Sequence, residues 1–208
     1  MLDEHLVAKT GLSAKRKNLV YWKNYRVTVL QDGLCRLEQS ARGKFRDEAT
    51  QAVWYRDLPV QDFCVEKTET QLKIITGRCA LVVKEKRGNS YVLWKNGKRV
   101  KLNNVGNLGG TCRTLDCCDG QWRWRRAERT KIRLENGVCS KNGVAVLDDS
   151  LSLTLSQNCE VIAERADGTD EYVFAYGSDY RVALVALFLI TGKPPLVPRF
   201  ALGIFFEI

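Results

Sequence analysis

Polar and apolar residues alternate along most of this chain. "YRVTVLQ" (25–31) is one such run, and an Asp-Gly pair turns it into "LCRLEQ" (34–39). "DFCVEKTETQLKIITG" (62–77) reads as two alternating runs around a polar turn, and "CALVVKE" (79–85) follows. "SYVLWKNGKRVKL" (90–102) holds Asn96-Gly97 between alternating segments. That dipeptide is the strongest short hairpin signal, because a tight hairpin turn needs positive φ at its central residues. "KIRLENG" (131–137), "GVAVLDDS" (143–150), "SLSLTLSQ" (150–157) and "EYVFAYG" (171–177) continue the pattern. Period two marks strands that bury one face. Many short strands with no helices between them predict a mainly β fold, an antiparallel sandwich or barrel.

The pattern changes after Gly177. "SDYRVALVALFLITGK" (178–193) predicts one helix, with Ser178 or Asp179 as its N-cap and Gly192 as its stop before Pro194 and Pro195. Its centre, "VALVALFLI" (182–190), is apolar all round and needs cover on every side. Nine residues are too few to cross a bilayer, so no membrane is expected as a partner. "LVPRFALGIFF" (196–206) then resumes as an extended apolar run. The organisation read from this is a flexible N-terminal extension (1–19), a β-sandwich domain (20–177), a connector helix (178–193) and the start of a further element (194–208).

Charge adds a candidate partner. The net charge is +9, from 33 Lys and Arg against 24 Asp and Glu. "QWRWRRAERTKIR" (121–133) holds six basic residues and one acidic, so it supplies five of the nine. Trp122 and Trp124 there offer stacking surfaces for bases or sugars. Alternating Trp and Arg also fits a strand with one apolar face, and that structural reading is preferred; no specific nucleic-acid partner is expected. Eight cysteines and a start without a hydrophobic signal core predict reduced thiols in a cytoplasmic protein. With no C-x-x-C pair and His5 as the one histidine, no metal site is expected. "NVGNLGGT" (104–111) matches neither a phosphate loop nor a dinucleotide fingerprint, and no cofactor is expected. Carboxylates cluster at Asp116 and Asp119, at Asp148-Asp149, and at Asp167, Asp170 and Glu171. Their Gly- and Ser-rich settings read as turn chemistry rather than as a catalytic pair.

Three further stretches act together: "NLGGTCRTLDCCDG" (107–120), "LENGVCSKNGVAVLDDSLSLTL" (134–155) and "DEYVFAYGSDYRVALVALFLITGKPPLVPRFALG" (170–203). In this order and spacing they resemble the N-terminal region of glycoside hydrolase family 31, the α-glucosidase and α-xylosidase family, over residues 20 to 203. The resemblance implies a galactose-mutarotase-like β-sandwich, a connecting helix, and the entry into a (β/α)8 catalytic barrel. It implies a retaining mechanism on an α-linked glucoside or xyloside, carried by two barrel aspartates that nothing here matches. No catalytic residue is therefore assigned to this chain. The match fades at Ile204, where the resemblance implies a truncated barrel strand, by frameshift or premature stop, and self-association through the apolar tail. A sandwich loop of the family helps shape the substrate pocket; "GTCRTLDCCDG" (110–120) corresponds to it, with Arg113 and Asp116 as candidate sugar contacts. A stand-alone carbohydrate-binding module on Trp122 or Trp124, and a basic nucleic-acid binder, remain as alternative functions.

Overall fold

The computed structural model describes residues 13–110, 135–156, 160–162 and 168–193. Two five-stranded antiparallel sheets face each other. The first contains β1 (Leu19–Trp22), β2 (Tyr25–Gln31), β3 (Leu34–Gln39), β12 (Thr169–Ala175) and β9 (Val144–Asp148), in the order β1-β2-β3-β12-β9. The second is a meander of β4 (Cys64–Lys67), β5 (Gln71–Ile75), β6 (Cys79–Lys84), β7 (Tyr91–Trp94) and β8 (Arg99–Lys101). A two-residue pair, β10 (Thr154–Leu155) and β11 (Val161–Ile162), stands apart, and an α-helix, α1 (Tyr180–Thr191), follows β12. This is the antiparallel β-sandwich that the alternation predicts.

Period two explains the inner core. Tyr25, Val27 and Val29 of β2, Cys35 and Leu37 of β3, and Val173 and Ala175 of β12 point between the sheets. There they meet Leu72 and Ile74 of β5, Leu81 and Val83 of β6 and Val92 of β7. The Asn96-Gly97 hairpin forms, with positive φ at Gly97 (81°) and not at Asn96, and β7 and β8 pair Tyr91 with Lys101.

The first sheet differs from a simple sandwich layer. β2 and β3 are buried at nearly every position, not at alternate ones. A second core explains this. Leu30, Leu34, Ala145, Tyr172 and Phe174 leave the sheet on its other side and pack against Ala183, Ala186 and Ile190 of α1 and against Val53. The first sheet is thus the middle of three layers. Positions that alternation marks as solvated are covered by the helix and by the irregular segment 40–58.

Two local expectations are corrected. Residues 150–156 are not one strand: Ser150 to Ser152 form a turn, and Thr154 and Leu155 alone among them pair as a strand. Asp179 is the N-cap of α1, but its side chain makes no capping hydrogen bond; it faces Arg78 Nη1 at 3.7 Å instead. Gly192 ends the helix as expected, at φ 89°, with its N–H donating to the carbonyl of Phe188 at 3.0 Å.

Candidate functional site

At one end of the middle sheet, the outer face carries charge rather than apolar side chains. Arg26 of β2, Arg36 and Glu38 of β3, and Asp170 of β12 are at most 8% exposed. Register places them side by side: Arg26 pairs with Glu38 across β2 and β3, and Asp170 pairs with Glu38 across β12 and β3. Segment 40–58 folds over them and adds Arg46, Thr50 and Arg56, all buried.

The contacts form one network. Arg36 Nε donates to Asp170 Oδ1 at 2.8 Å and Nη2 to Oδ2 at 2.5 Å. The same Nη2 lies 3.1 Å from Glu38 Oε1. Arg26 grips Glu38 with a second fork, Nε to Oε2 at 2.6 Å and Nη2 to Oε1 at 2.9 Å. Both arginines also donate to the carbonyl of Arg46, at 2.7 and 2.8 Å, which fastens the covering segment to the sheet. Arg56 donates from Nε to the Tyr172 hydroxyl at 2.7 Å and from Nη1 to the carbonyl of Glu48 at 2.6 Å. Asp149 accepts from Thr50 Oγ1 at 2.8 Å, and its backbone N–H donates to the Asp170 carbonyl at 2.8 Å. Asp149 Oδ2 and Arg56 Nη2 stand 4.0 Å apart, beyond hydrogen-bonding reach. Nη2 of Arg56 and the other Asp149 oxygen, Oδ1, have no hydrogen-bond partner.

The environment drives the two aspartates in opposite directions. Burial pushes the Asp170 carboxyl up, but the guanidiniums of Arg36, Arg56 and Arg46 more than reverse it and hold it below the usual carboxylate range. Burial pushes the Asp149 carboxyl up, only partly offset by the Ser152 and Thr50 hydroxyls and by Arg56. A split pair of carboxyls is the pattern of an acid and a base. Access decides against catalysis here. Asp149 is fully buried, both Asp170 oxygens are held by Arg36, and the depression over Glu38, Arg46, Ser150, Gly168 and Asp170 is too small for a sugar ring. The arrangement clamps a covering segment onto a sheet.

Two more carboxylates of these clusters, among the described residues, are also held by partners. Asp148 accepts from the N–H and hydroxyl of Ser150, at 3.0 and 2.5 Å, and is the turn residue expected. Glu171 is ion-paired with Arg87. The candidate sugar contacts Arg113 and Asp116 lie outside the described residues, as do Asp119, Asp167, Trp122 and Trp124. Sequence reasoning missed Arg26, Arg36 and Glu38, which it reads as the wet face of two strands. A signal was present: opposite charges at facing positions of adjacent strands, on the face shared with Leu30 and Leu34.

A second surface is apolar. Tyr180, Leu184, Val185, Phe188 and Leu189 of α1 are 37–56% exposed. They form a helical stripe opposite Ala183, Ala186 and Ile190. Among the described residues, the all-round apolar helix is therefore covered on one side by the sandwich and exposed on the other.

No family model matches the chain, and no curated protein is similar to it in sequence. Solved structures do match. A GH31 dextranase from Flavobacterium johnsoniae, complexed with glucose, aligns at TM-score 0.50 and 17% identity over 94% of this chain and 30% of its own. A GH31 α-xylosidase from Xanthomonas citri aligns at TM-score 0.34 and 18% identity, over 42% of this chain and 10% of its own. The chain thus spans less than a third of the length of either enzyme. At this identity the dextranase alignment is a likeness of fold, and what it establishes is the mainly β, antiparallel sandwich architecture.

Proposed function

We propose that this chain is a non-catalytic β-sandwich domain of an α-glycoside hydrolase of the GH31 type, one that packs against a catalytic barrel and supports its substrate pocket. The observation that carries this reading is the apolar stripe of α1. Five large side chains, Tyr180, Leu184, Val185, Phe188 and Leu189, lie exposed on a helix whose opposite face is docked on the sandwich. Contiguous apolar surface of this kind marks an interaction site. The sequence resemblance implies a barrel after this helix, and the likeness of fold to a GH31 dextranase supports the reading of the sandwich. On this reading the substrate class is an α-linked glucoside or xyloside, and Arg113 and Asp116 are its contacts from the sandwich side. The catalytic carboxylates belong to the barrel, consistent with the occluded state of Asp149 and Asp170.

The test uses the purified chain with para-nitrophenyl α-glucoside and α-xyloside. No turnover is expected. Turnover that Asp149→Asn or Asp170→Asn abolishes overturns the reading. In parallel, light scattering is expected to show self-association that Val185→Lys with Leu189→Lys removes while circular dichroism stays unchanged. A strictly monomeric parent chain removes the support drawn from the stripe.

A further inference from the structure

Two buried thiols line the same space between the sheets. Cys35 on β3 and Cys79 on β6 belong to different sheets, and both are core residues, 5% and 6% exposed. Both line one small apolar cavity, with Gly33, Thr76, Val92 and Val173. Packed sheets usually stand ~10 Å apart, but here the turns that launch the two strands touch. The N–H of Arg78 donates to Asp32 Oδ1 at 2.8 Å. A Cβ placed on Gly77 would lie 2.6 Å from Asp32 Oδ2, and one on Gly33 would lie 3.2 Å from the Cδ of Arg78. Each cysteine sits two residues beyond its turn glycine, Gly33 or Gly77. Both thiols therefore stand near the end where the two turns are in contact.

We propose that Cys35 and Cys79 form an oxidative modification site: a hydroperoxide converts them into a disulfide that staples the two sheets. The Cys79 thiolate attacks one oxygen of the peroxide, the O–O bond breaks, and Cys79 becomes a sulfenic acid as hydroxide leaves. The Cys35 sulfur then displaces the sulfenic hydroxyl; its proton goes with that hydroxyl as water, and the S–S bond forms. Two thiols and one hydrogen peroxide give one disulfide and two waters. The cavity supplies the room in which the sulfurs close to bonding distance. Cys79 is the attacking residue because burial pushes its thiol up only to about 11, with Thr76 and Arg78 opposing, whereas Cys35 is pushed higher still. The groups facing the pair are Asp32 and Arg78 on the turns and Tyr176 at the end of β12, whose hydroxyl burial keeps neutral. With so little thiolate at neutral pH the site reacts slowly, and its rate climbs about tenfold per pH unit.

The experiment treats the 208-residue chain with dilute hydrogen peroxide at pH 7.5 and 8.5, alkylates it in denaturant, and maps peptides by mass spectrometry. The expected result is a linked Cys35–Cys79 peptide that accumulates about tenfold faster at the higher pH, with a raised thermal midpoint in the oxidised protein. Cys79→Ser is expected to leave Cys35 unoxidised over the same interval. Recovery of both residues as free thiols or sulfinic acids in protein that keeps its native circular dichroism overturns the proposal. So does cross-linking whose rate rises with sub-denaturing urea, since that places the reaction in the unfolded chain.

Discussion

Removing the charge of Asp170 tests the buried network most directly. Asp170→Asn keeps the shape of the side chain and abolishes the fork that Arg36 makes at 2.8 and 2.5 Å. The Arg36 side chain is 2% exposed, so water cannot replace the lost partner. Breaking a buried pair by removing one partner costs about 3–5 kcal/mol. Glu38, 3.1 Å from Arg36 Nη2, retains part of the compensation and sets the expectation at the low end, about 3 kcal/mol. For a chain of this size that corresponds to a fall of roughly 6–12 °C in melting temperature. The assay is chemical and thermal unfolding of four proteins: the parent, Asp170→Asn, Arg36→Met and the double variant. The double variant leaves no charge orphaned, because Glu38 keeps its fork to Arg26. It is expected to be more stable than the sum of the single losses by about 1–3 kcal/mol. The pH dependence has a fixed sign. The folded carboxyl is held below the unfolded value of about 3.9, so its contribution is complete above that value and disappears as pH falls through the depressed one. The gap between parent and Asp170→Asn should therefore close in acid. Strictly additive single losses, or a gap independent of pH, would refute the network as a coupled unit.

Asp149→Asn should show the opposite trend. Burial raises the folded carboxyl, so the parent loses stability as pH rises from the unfolded value of about 3.9 through the raised folded one, and the variant gains on the parent over that rise; parallel unfolding curves would contradict this. Gly168→Ala is expected to cost more than about 2 kcal/mol, because at φ 108° its Cβ would sit 1.7 Å from the carbonyl oxygen of Gln39 where β12 begins; urea unfolding measures it. On α1, Ile190→Ala should cost about 2–5 kcal/mol and Leu189→Lys no more than about 0.5 kcal/mol, since Ile190 is fully buried and Leu189 is 39% exposed; equal losses would mean that both faces of the helix are covered.

The sequence by itself determined the local elements. Alternation located β2, β3, β5, β6, β7, β9 and β12, Asn96-Gly97 located a hairpin, and Gly192 located the end of the helix, because each rests on contacts within a few residues. It also marked α1 as apolar all round. What it did not determine was which surfaces these elements share. β12 inserts between β3 and β9, a pairing that joins Asp170 to Glu38 across more than a hundred residues of chain. That pairing, and the folding of segment 40–58 over the same face, turn Arg26, Arg36 and Glu38 from the wet side of two strands into a buried network. The turn contact between Arg78 and Asp32 likewise sets Cys35 and Cys79 at one cavity, though nothing in their spacing relates them. Period two says that a strand has two faces. Only the packing of the layers decides whether the second face meets water, because burial depends on what the rest of the chain places above it.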